Sequence, residues 1–309
     1  MGRWVTRAVA LIAVVVVGWV LVTAWPVVVH GHPLYAVLLA LTVLLAIVAT
    51  ALTFRPQRST SWVRRTFWIV GVVAAVGWIG MIGWLRPFSA QEPALTAMQS
   101  DDQVVVTETP TAIVMAPAQG PEPTLGVLFQ PGAKVDARAY AALMRPAAQA
   151  GELVVIPKQP VGLAFLSSGA LDTARQAHPE VTSWVVGGHS LGGTVASSNA
   201  LADASAPAAA PVSGLLLYAS YPAEDSRGIT AQVLSVSGSE DGLATTADID
   251  ASRANLPPGA QFVVIDGATH AYFGDYGPQP GDGTPTVDRA SAQAEITQAT
   301  LNFLAGLRS

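Results

Sequence analysis

The sequence predicts an α/β domain with a mostly parallel sheet covered by helices on both faces, preceded by three transmembrane helices. Three observations lead there. Residues 1–86 hold seven arginines, no acidic residue and three long apolar runs, whereas all 21 acids fall after residue 86. Beyond residue 103, short β-branched apolar runs alternate with longer segments of helical period, the signature of parallel strands joined by crossover helices. Between one such run and a helical stretch stands Gly188-x-Ser190-x-Gly192, with glycines where a sharp strand-to-helix turn leaves no room for a β-carbon.

The apolar runs, residues 8–29, 34–54 and 66–85, each approach the roughly 20 residues that a helix needs to cross a bilayer. Seven of the eight tryptophans lie in this region, and Trp4, Trp25, Trp62, Trp68 and Trp84 fall near span ends, where an amphipathic ring is stable at headgroup level. Arg3 and Arg7 precede the first span, and Arg55, Arg58, Arg64 and Arg65 separate the second from the third. The His30-Gly-His-Pro33 turn has no arginine. Basic flanks stay cytoplasmic, so the N-terminus and the 55–65 loop are expected inside and everything after Leu85 outside, with Arg86 a minor dissent. A signal peptide cleaved after Val22-Thr23-Ala24 is the competing reading of the first span, although the apolar run continues to Val29. Both readings place the last domain outside, in a multi-pass or anchored protein of the cell membrane. The span interiors carry no charge, which argues against a transporter or proton relay. Gly77, Gly80 and Gly83 would permit close helix packing, within or between chains.

Residues 87–102 are polar and interrupted by proline, which suits a short tether, and residues 103–309 form the expected globular domain. Strands are expected at 104–108, 112–116, 125–130, 153–157, 183–187, 214–219, 232–237 and 261–265. Helices are expected at 136–150, 163–177, 191–204, 245–255 and 289–307. Asp136 suits an N-cap and Gly151 a C-terminal stop for the first of these helices. The chain has no cysteine, which excludes a thiol nucleophile, a disulfide framework and thiolate-bound zinc. Residues 87–309 carry nine basic residues against 21 acids, so no stripe of positive charge is available for nucleic acid.

In a parallel sheet, catalytic groups gather in loops beyond the carboxyl ends of the strands. Ser190 follows the strand ending at 187, Asp241 the strand ending at 237, and His270 the strand ending at 265. A serine hydroxyl becomes a nucleophile when a base takes its proton, and an imidazole can accept that proton and later deliver it to a leaving group. His270 is the expected base. Of the other histidines, His30 and His32 lie in the membrane turn, His178 in a linker, and His189 beside the serine with its side chain expected to point away. Asp241, in Ser237-Gly-Ser-Glu-Asp-Gly242, would orient the imidazole, in competition with Glu240, Asp248, Asp250 and Asp266. Charge developing on a carbonyl oxygen needs preset N–H donors. The Leu191 amide at the helix start is one candidate; Ala133, and after it Gly132, is the other, since Pro131 has no N–H. Gly188, His189 and Gly192 complete the nucleophile elbow. Lys134 would either attract an anionic substrate group or be a solvated loop lysine.

These residues together resemble the α/β-hydrolase superfamily, in particular its dienelactone-hydrolase-like and family-5 members, over about residues 103–307. The motifs that carry the resemblance are Gln130-Pro-Gly-Ala-Lys-Val-Asp136, Gly187-Gly-His-Ser-Leu-Gly-Gly193, and Thr269-His-Ala-Tyr-Phe-Gly-Asp-Tyr-Gly277 with Gln279-Pro-Gly-Asp-Gly283. The resemblance implies a Ser-His-Asp hydrolase carried by Ser190, His270 and Asp241, with no metal or organic cofactor. Dienelactone hydrolases proper use cysteine, so their substrate does not carry over. About 12 residues separate Ala219 from Gln232, too few for the large helical cap of many relatives. The Gly- and Pro-rich segment 271–288, with Tyr272, Phe273 and Tyr276, would shape the substrate site or simply connect to the last helix. The function expected is a membrane-anchored serine hydrolase of carboxylic esters or related acyl groups, its partners a small acyl substrate and the lipid bilayer. An acyltransferase or amidase would use the same triad, and a binding or sensing domain on a hydrolase scaffold is the alternative from another class.

Overall fold

The computed structural model describes residues 2–55, 62–206 and 208–308. Arg58, counted above among the basic loop residues, lies outside them. The chain forms two compact units, Met1–Pro87 and Phe88–Ser309.

The first unit is three helices: α1 (Gly2–His30), α2 (Pro33–Leu52) and α3 (Trp62–Trp84), each long and apolar enough to cross a membrane. Pro26 lies inside α1, and a kink at Ala24 accompanies it, as expected where a helix interior loses an N–H and meets the proline ring. Small residues let the helices approach: Ala10, Ala13 and Ala46 pack with Ile79 in one apolar cluster. Indole N–H groups bridge between helices, Trp78 to Thr42 at 2.9 Å and Trp68 to Thr6 at 3.2 Å. Gly77 and Gly80 meet nothing within 4 Å of a would-be β-carbon, so neither makes close packing within this unit. Arg3 donates to the Arg55 carbonyl and Arg7 to Thr53, which gathers basic residues at one end. Arg86, at the other end, is satisfied by the Thr23 hydroxyl and carbonyl and lies over the Trp19 ring.

The second unit is an eight-stranded sheet. Its strands are β1 (Val104–Glu108), β2 (Ala112–Pro117), β3 (Leu125–Gln130), β4 (Leu153–Pro157), β5 (Ser183–His189), β6 (Val212–Tyr218), β7 (Gln232–Gly238) and β8 (Gln261–Ile265). They lie in the order β1-β2-β4-β3-β5-β6-β7-β8, with β2 antiparallel to both its neighbours, β1 and β4, and every other pair parallel. Successive side chains on a strand face opposite ways, and the central strands accordingly feed two cores. Val127, Phe129, Leu216 and Tyr218 enter one, and Leu128, Leu215 and Leu217 the other. The first core is closed by α5 (Ala141–Gln149) and α9 (Arg289–Leu307), the second by α6 (Ala170–Ala177) and α7 (Leu191–Ser205), while α8 (Thr246–Ser252) follows β7.

Helix boundaries differ from the sequence expectation where local chemistry interrupts the period. Asp136 caps a 3₁₀ turn, Ala137–Tyr140, before α5 begins. The stretch expected as one helix over 163–177 divides into a 3₁₀ turn, Ala164–Ser167, and α6; Gly169, a poor helix former, marks the break.

Residues 88–98, expected as part of a short tether, are hydrogen-bonded within the second unit. Phe88 N–H donates to Lys134 O (2.7 Å), Asp136 N–H to Phe88 O (3.0 Å), and Gln91 N–H to Asp275 O (2.8 Å). Ala90 and Ala94 are buried in the first core, and α4 (Ala94–Ala97) forms within this segment. Small apolar side chains and unsatisfied backbone groups favour docking over solvation here. No helix lies between β6 and β7, so the carboxyl edge of the sheet carries no cap from that connection.

Candidate active site

The loop after β5 turns into α7 at Ser190, whose φ of 52° and ψ of −125° place a non-glycine residue in a strained conformation. Three contacts hold it there: Ser190 N–H donates to Tyr218 O (3.0 Å), and its carbonyl accepts the Gly193 N–H (3.0 Å) and the Ser220 hydroxyl (2.6 Å). A β-carbon at Gly188 would collide with Gly192, and one at Gly192 would collide with the Gln130 and Pro131 carbonyls. Glycine at these positions therefore lets the end of β3 lie directly against the elbow.

That proximity brings the 130–134 loop to the start of α7. Gln159 fixes the loop by donating to the Gln130 side chain and to the Pro131 carbonyl. Of the two amides considered there, Gly132 N–H is taken by the Tyr140 hydroxyl at 2.8 Å, which removes Gly132 as a donor to a substrate. Ala133 and Leu191 are half-buried, and no hydrogen bond from either amide occurs among the described residues. Lys134 has a left-handed φ of 61°, and its ammonium lies over the Phe88 ring at 5.6 Å. Desolvation holds its pKa below the ordinary lysine value.

Asp241 and His270 come together at 2.8 Å, Oδ2 to Nδ1, and both are buried. The other carboxylate oxygen of Asp241 accepts the Leu243 and Ala244 N–H groups, both at 2.8 Å, so the side chain is locked in rotation and Oδ2 is aimed at the imidazole. The rival acids have other partners: Asp248 caps α8 with Thr245, Asp250 pairs with Arg253, and Asp266 accepts the Ser239 hydroxyl. Glu240 is exposed. No hydrogen bond joins His270 to Ser190 among the described residues. Catalytic hydrogen bonds are commonly long before substrate arrives. The two are linked through His189, whose ring centre is 4.5 Å from that of His270.

His189 is fully buried, with Nδ1 at 2.9 Å from the Tyr140 hydroxyl, while its Nε2 closes no hydrogen bond of normal geometry among the described residues. Burial, and then the neighbouring His270, push its pKa well below the ordinary histidine value. Tyr140, raised by its own burial, stays a neutral phenol. The aromatics of segment 271–288 also turn inward. Phe273 and Tyr276 are fully buried in the first core, and Tyr272 donates to Val287 O, so these rings do not form an open rim. Tyr140, Ser220 and Asp282 escape sequence reasoning, because each acts through contacts with residues distant in the chain.

The model of a family described as an alpha/beta hydrolase family matches residues 126–294. No curated protein matches the sequence. Among solved structures, a protein assigned as a dienelactone hydrolase from Klebsiella pneumoniae subsp. pneumoniae MGH 78578 is similar at TM-score 0.50 and 16% identity, over 65% of this chain and 98% of that one. Thermogutta terrifontis esterase 2, phosphoramylated by tabun, is similar at TM-score 0.47 and 12% identity, over 68% of this chain and 96% of that one. At such identities these likenesses concern the fold. The family model, in contrast, spans more than half of the sequence, from β3 through the serine elbow and the Asp241 and His270 loops into α9, and the chain belongs to the alpha/beta hydrolase family.

Proposed function

We propose that this protein is a membrane-anchored serine hydrolase that cleaves carboxylic esters or related acyl bonds. The observation that carries the reading is the buried Asp241–His270 pair at 2.8 Å, in a chain whose strand-to-helix elbow holds Ser190 at positive φ. His270 takes the Ser190 proton as Oγ bonds to the acyl carbon, and Asp241 stabilises the imidazolium that results. The Leu191 and Ala133 amides donate to the oxyanion, whose negative charge also gains from the positive end of α7. Collapse of the tetrahedral adduct breaks the bond to the leaving alkoxide, which receives the proton from His270. Water, deprotonated by the same imidazole, then hydrolyses the acyl-serine.

The three apolar helices would anchor this unit in a bilayer. Arg3, Arg7, Arg55, Arg64 and Arg65 flank the ends expected on the cytoplasmic side, which puts the hydrolase unit on the outer face.

The test uses the full chain in detergent, exposed to a fluorophosphonate probe, with Ser190→Ala and His270→Ala as comparisons. Labelling of the wild type and its loss in both variants is the expected result. A folded wild-type protein that takes no label would overturn the assignment.

A further inference from the structure

Gln279-Pro-Gly-Asp282 forms a tight turn in which Asp282 N–H donates to Gln279 O at 3.2 Å and Gly281 has a φ of 88°. Proline second and a positive-φ glycine third suit a type II turn. The Tyr276 hydroxyl anchors it by donating to the Gln279 side chain at 2.8 Å. This turn delivers the Asp282 carboxylate into the gap between the loop after β7 and the loop after β8.

There the carboxylate accepts four backbone N–H groups. Oδ1 takes those of Gly283 (2.8 Å), His270 (3.0 Å) and Gly242 (3.3 Å), and Oδ2 takes that of Ala271 (2.9 Å). Gly242 follows the acid of the pair, whereas His270 and Ala271 carry the base. No salt bridge joins Asp282 to a cation among the described residues, so converging amide dipoles are what stabilise its charge. The direct backbone ladder between the two loops runs through Ser239–Ile265 and Glu240–Ala268 and stops there. Beyond Glu240 the two loops are joined by the Asp241–His270 contact itself and by the Asp282 carboxylate. A β-carbon on Gly242 would press on Gly281 and Gly283, and one on Gly283 would run into the Glu240 carbonyl, so both glycines are required for the turn to seat.

We propose that Asp282 is a positioning residue: its carboxylate clamps the acid-bearing loop to the base-bearing loop and thereby sets the Asp241–His270 geometry. The proposal rests on the catalytic reading above. Facing His270 are Asp241, Asp282, the His189 ring and, behind that ring, Tyr140 and Tyr276, while Arg289 donates to the Ala271 carbonyl. Asp241 and Asp282 are the two carboxylates in that set. Loss of the Asp282 charge would therefore disfavour the imidazolium as well as loosen its seat.

The test uses the full chain in detergent, as wild type, Asp282→Asn, Asp282→Ala and the exposed-carboxylate control Asp102→Asn. It records kcat and KM for a short p-nitrophenyl ester across pH, the unfolding midpoint, and the low-field proton resonance of His270 Nδ1–H, identified by its absence in His270→Ala. For Asp282→Asn the expected result is a native-like midpoint, kcat lower by about 10²-fold with KM little changed, an acid limb displaced to lower pH, and a weakened resonance. Asp102→Asn is expected to match the wild type. Folded Asp282 variants with unchanged kcat, acid limb and resonance would overturn the proposal. So would loss of folding in both, since the clamp would then serve the fold and not the pair. If the wild type hydrolyses nothing and takes no fluorophosphonate, the catalytic reading fails on its own, and the resonance in the variants still decides the role of Asp282.

Discussion

The Tyr140 hydroxyl lies 2.9 Å from His189 Nδ1 while accepting the Gly132 N–H at 2.8 Å, and these two contacts together tie three distant parts of the chain to one oxygen. The phenol O–H donates to Nδ1 when the neutral imidazole carries its proton on Nε2, and in the other tautomer Nδ1–H donates to the phenol oxygen. One hydroxyl thus joins the loop after β3 to the elbow, and the imidazole it orients packs on the ring of His270.

Tyr140→Phe would keep the ring and remove that junction, leaving the Gly132 amide and His189 Nδ1 buried and unpaired. Each unsatisfied group costs about 1–3 kcal/mol, so a loss of roughly 2–6 kcal/mol in stability is expected from chemical unfolding. A change within about 0.5 kcal/mol would show that neither group depends on the hydroxyl.

His189 also makes stability depend on pH. Its folded-state pKa lies below the ordinary 6.5, so below that pH the unfolded chain binds a proton that the native chain refuses. Stability from this residue is therefore complete above the unfolded pKa and declines as the pH falls beneath it, by about 1.4 kcal/mol per pH unit once well below. Unfolding free energies at pH 7 and pH 5, compared between wild type and His189→Gln, should show a steeper acid loss in the wild type. Equal slopes would remove the buried-neutral assignment.

Asp241→Asn would preserve the shape of the pair but withdraw the charge that favours the imidazolium and the oxygen that selects the tautomer. Under the proposed function, the fluorophosphonate labelling rate should fall by about 10³–10⁴-fold with the fold intact. Labelling within about tenfold of wild type would return the role of acid to another residue.

For the arrangement in the membrane, reporters fused after Ser309 give the decisive reading. A periplasm-dependent phosphatase there should be active and a cytoplasm-dependent fluorescent protein dark. The reverse pattern would invert the orientation.

Much of the fold is legible in the sequence because its elements are strongly patterned. The β3 run Leu125–Gln130 is largely apolar, the β7 run Gln232–Gly238 carries Val233, Leu234 and Val236, and α9 runs uninterrupted from an Asp288 cap. The limits were set by local competition. The 163–177 stretch has helical composition, yet Gly169 and the Asn199 side chain, which donates to the Ser168 carbonyl, favour a break. Segment 87–102 reads as a tether because proline and polar residues dominate it. Its docking depends on Ala90 and Ala94 fitting a core built by other parts of the chain.

The candidate site divides in the same way. Ser190, Asp241 and His270 could be proposed because strand ends and motif order announce them. The exclusion of Gly132 could not, since it depends on a tyrosine eight residues away whose hydroxyl reaches back. Nor could the fate of Phe273 and Tyr276, because aromatic residues in a glycine-rich loop read alike whether they face solvent or a core.

The strand order has a consequence for how the protein is made. Ser190 leaves β5 near the middle of the sheet, while Asp241 and His270 come from β7 and β8 at its far edge, the last strands to be synthesised. A growing chain thus displays its serine well before the acid, the base or the turn bearing Asp282 has left the ribosome. In the proposed reading, that serine stays chemically inert throughout synthesis and passage to the membrane, and the enzyme switches on only when the final strand takes its place.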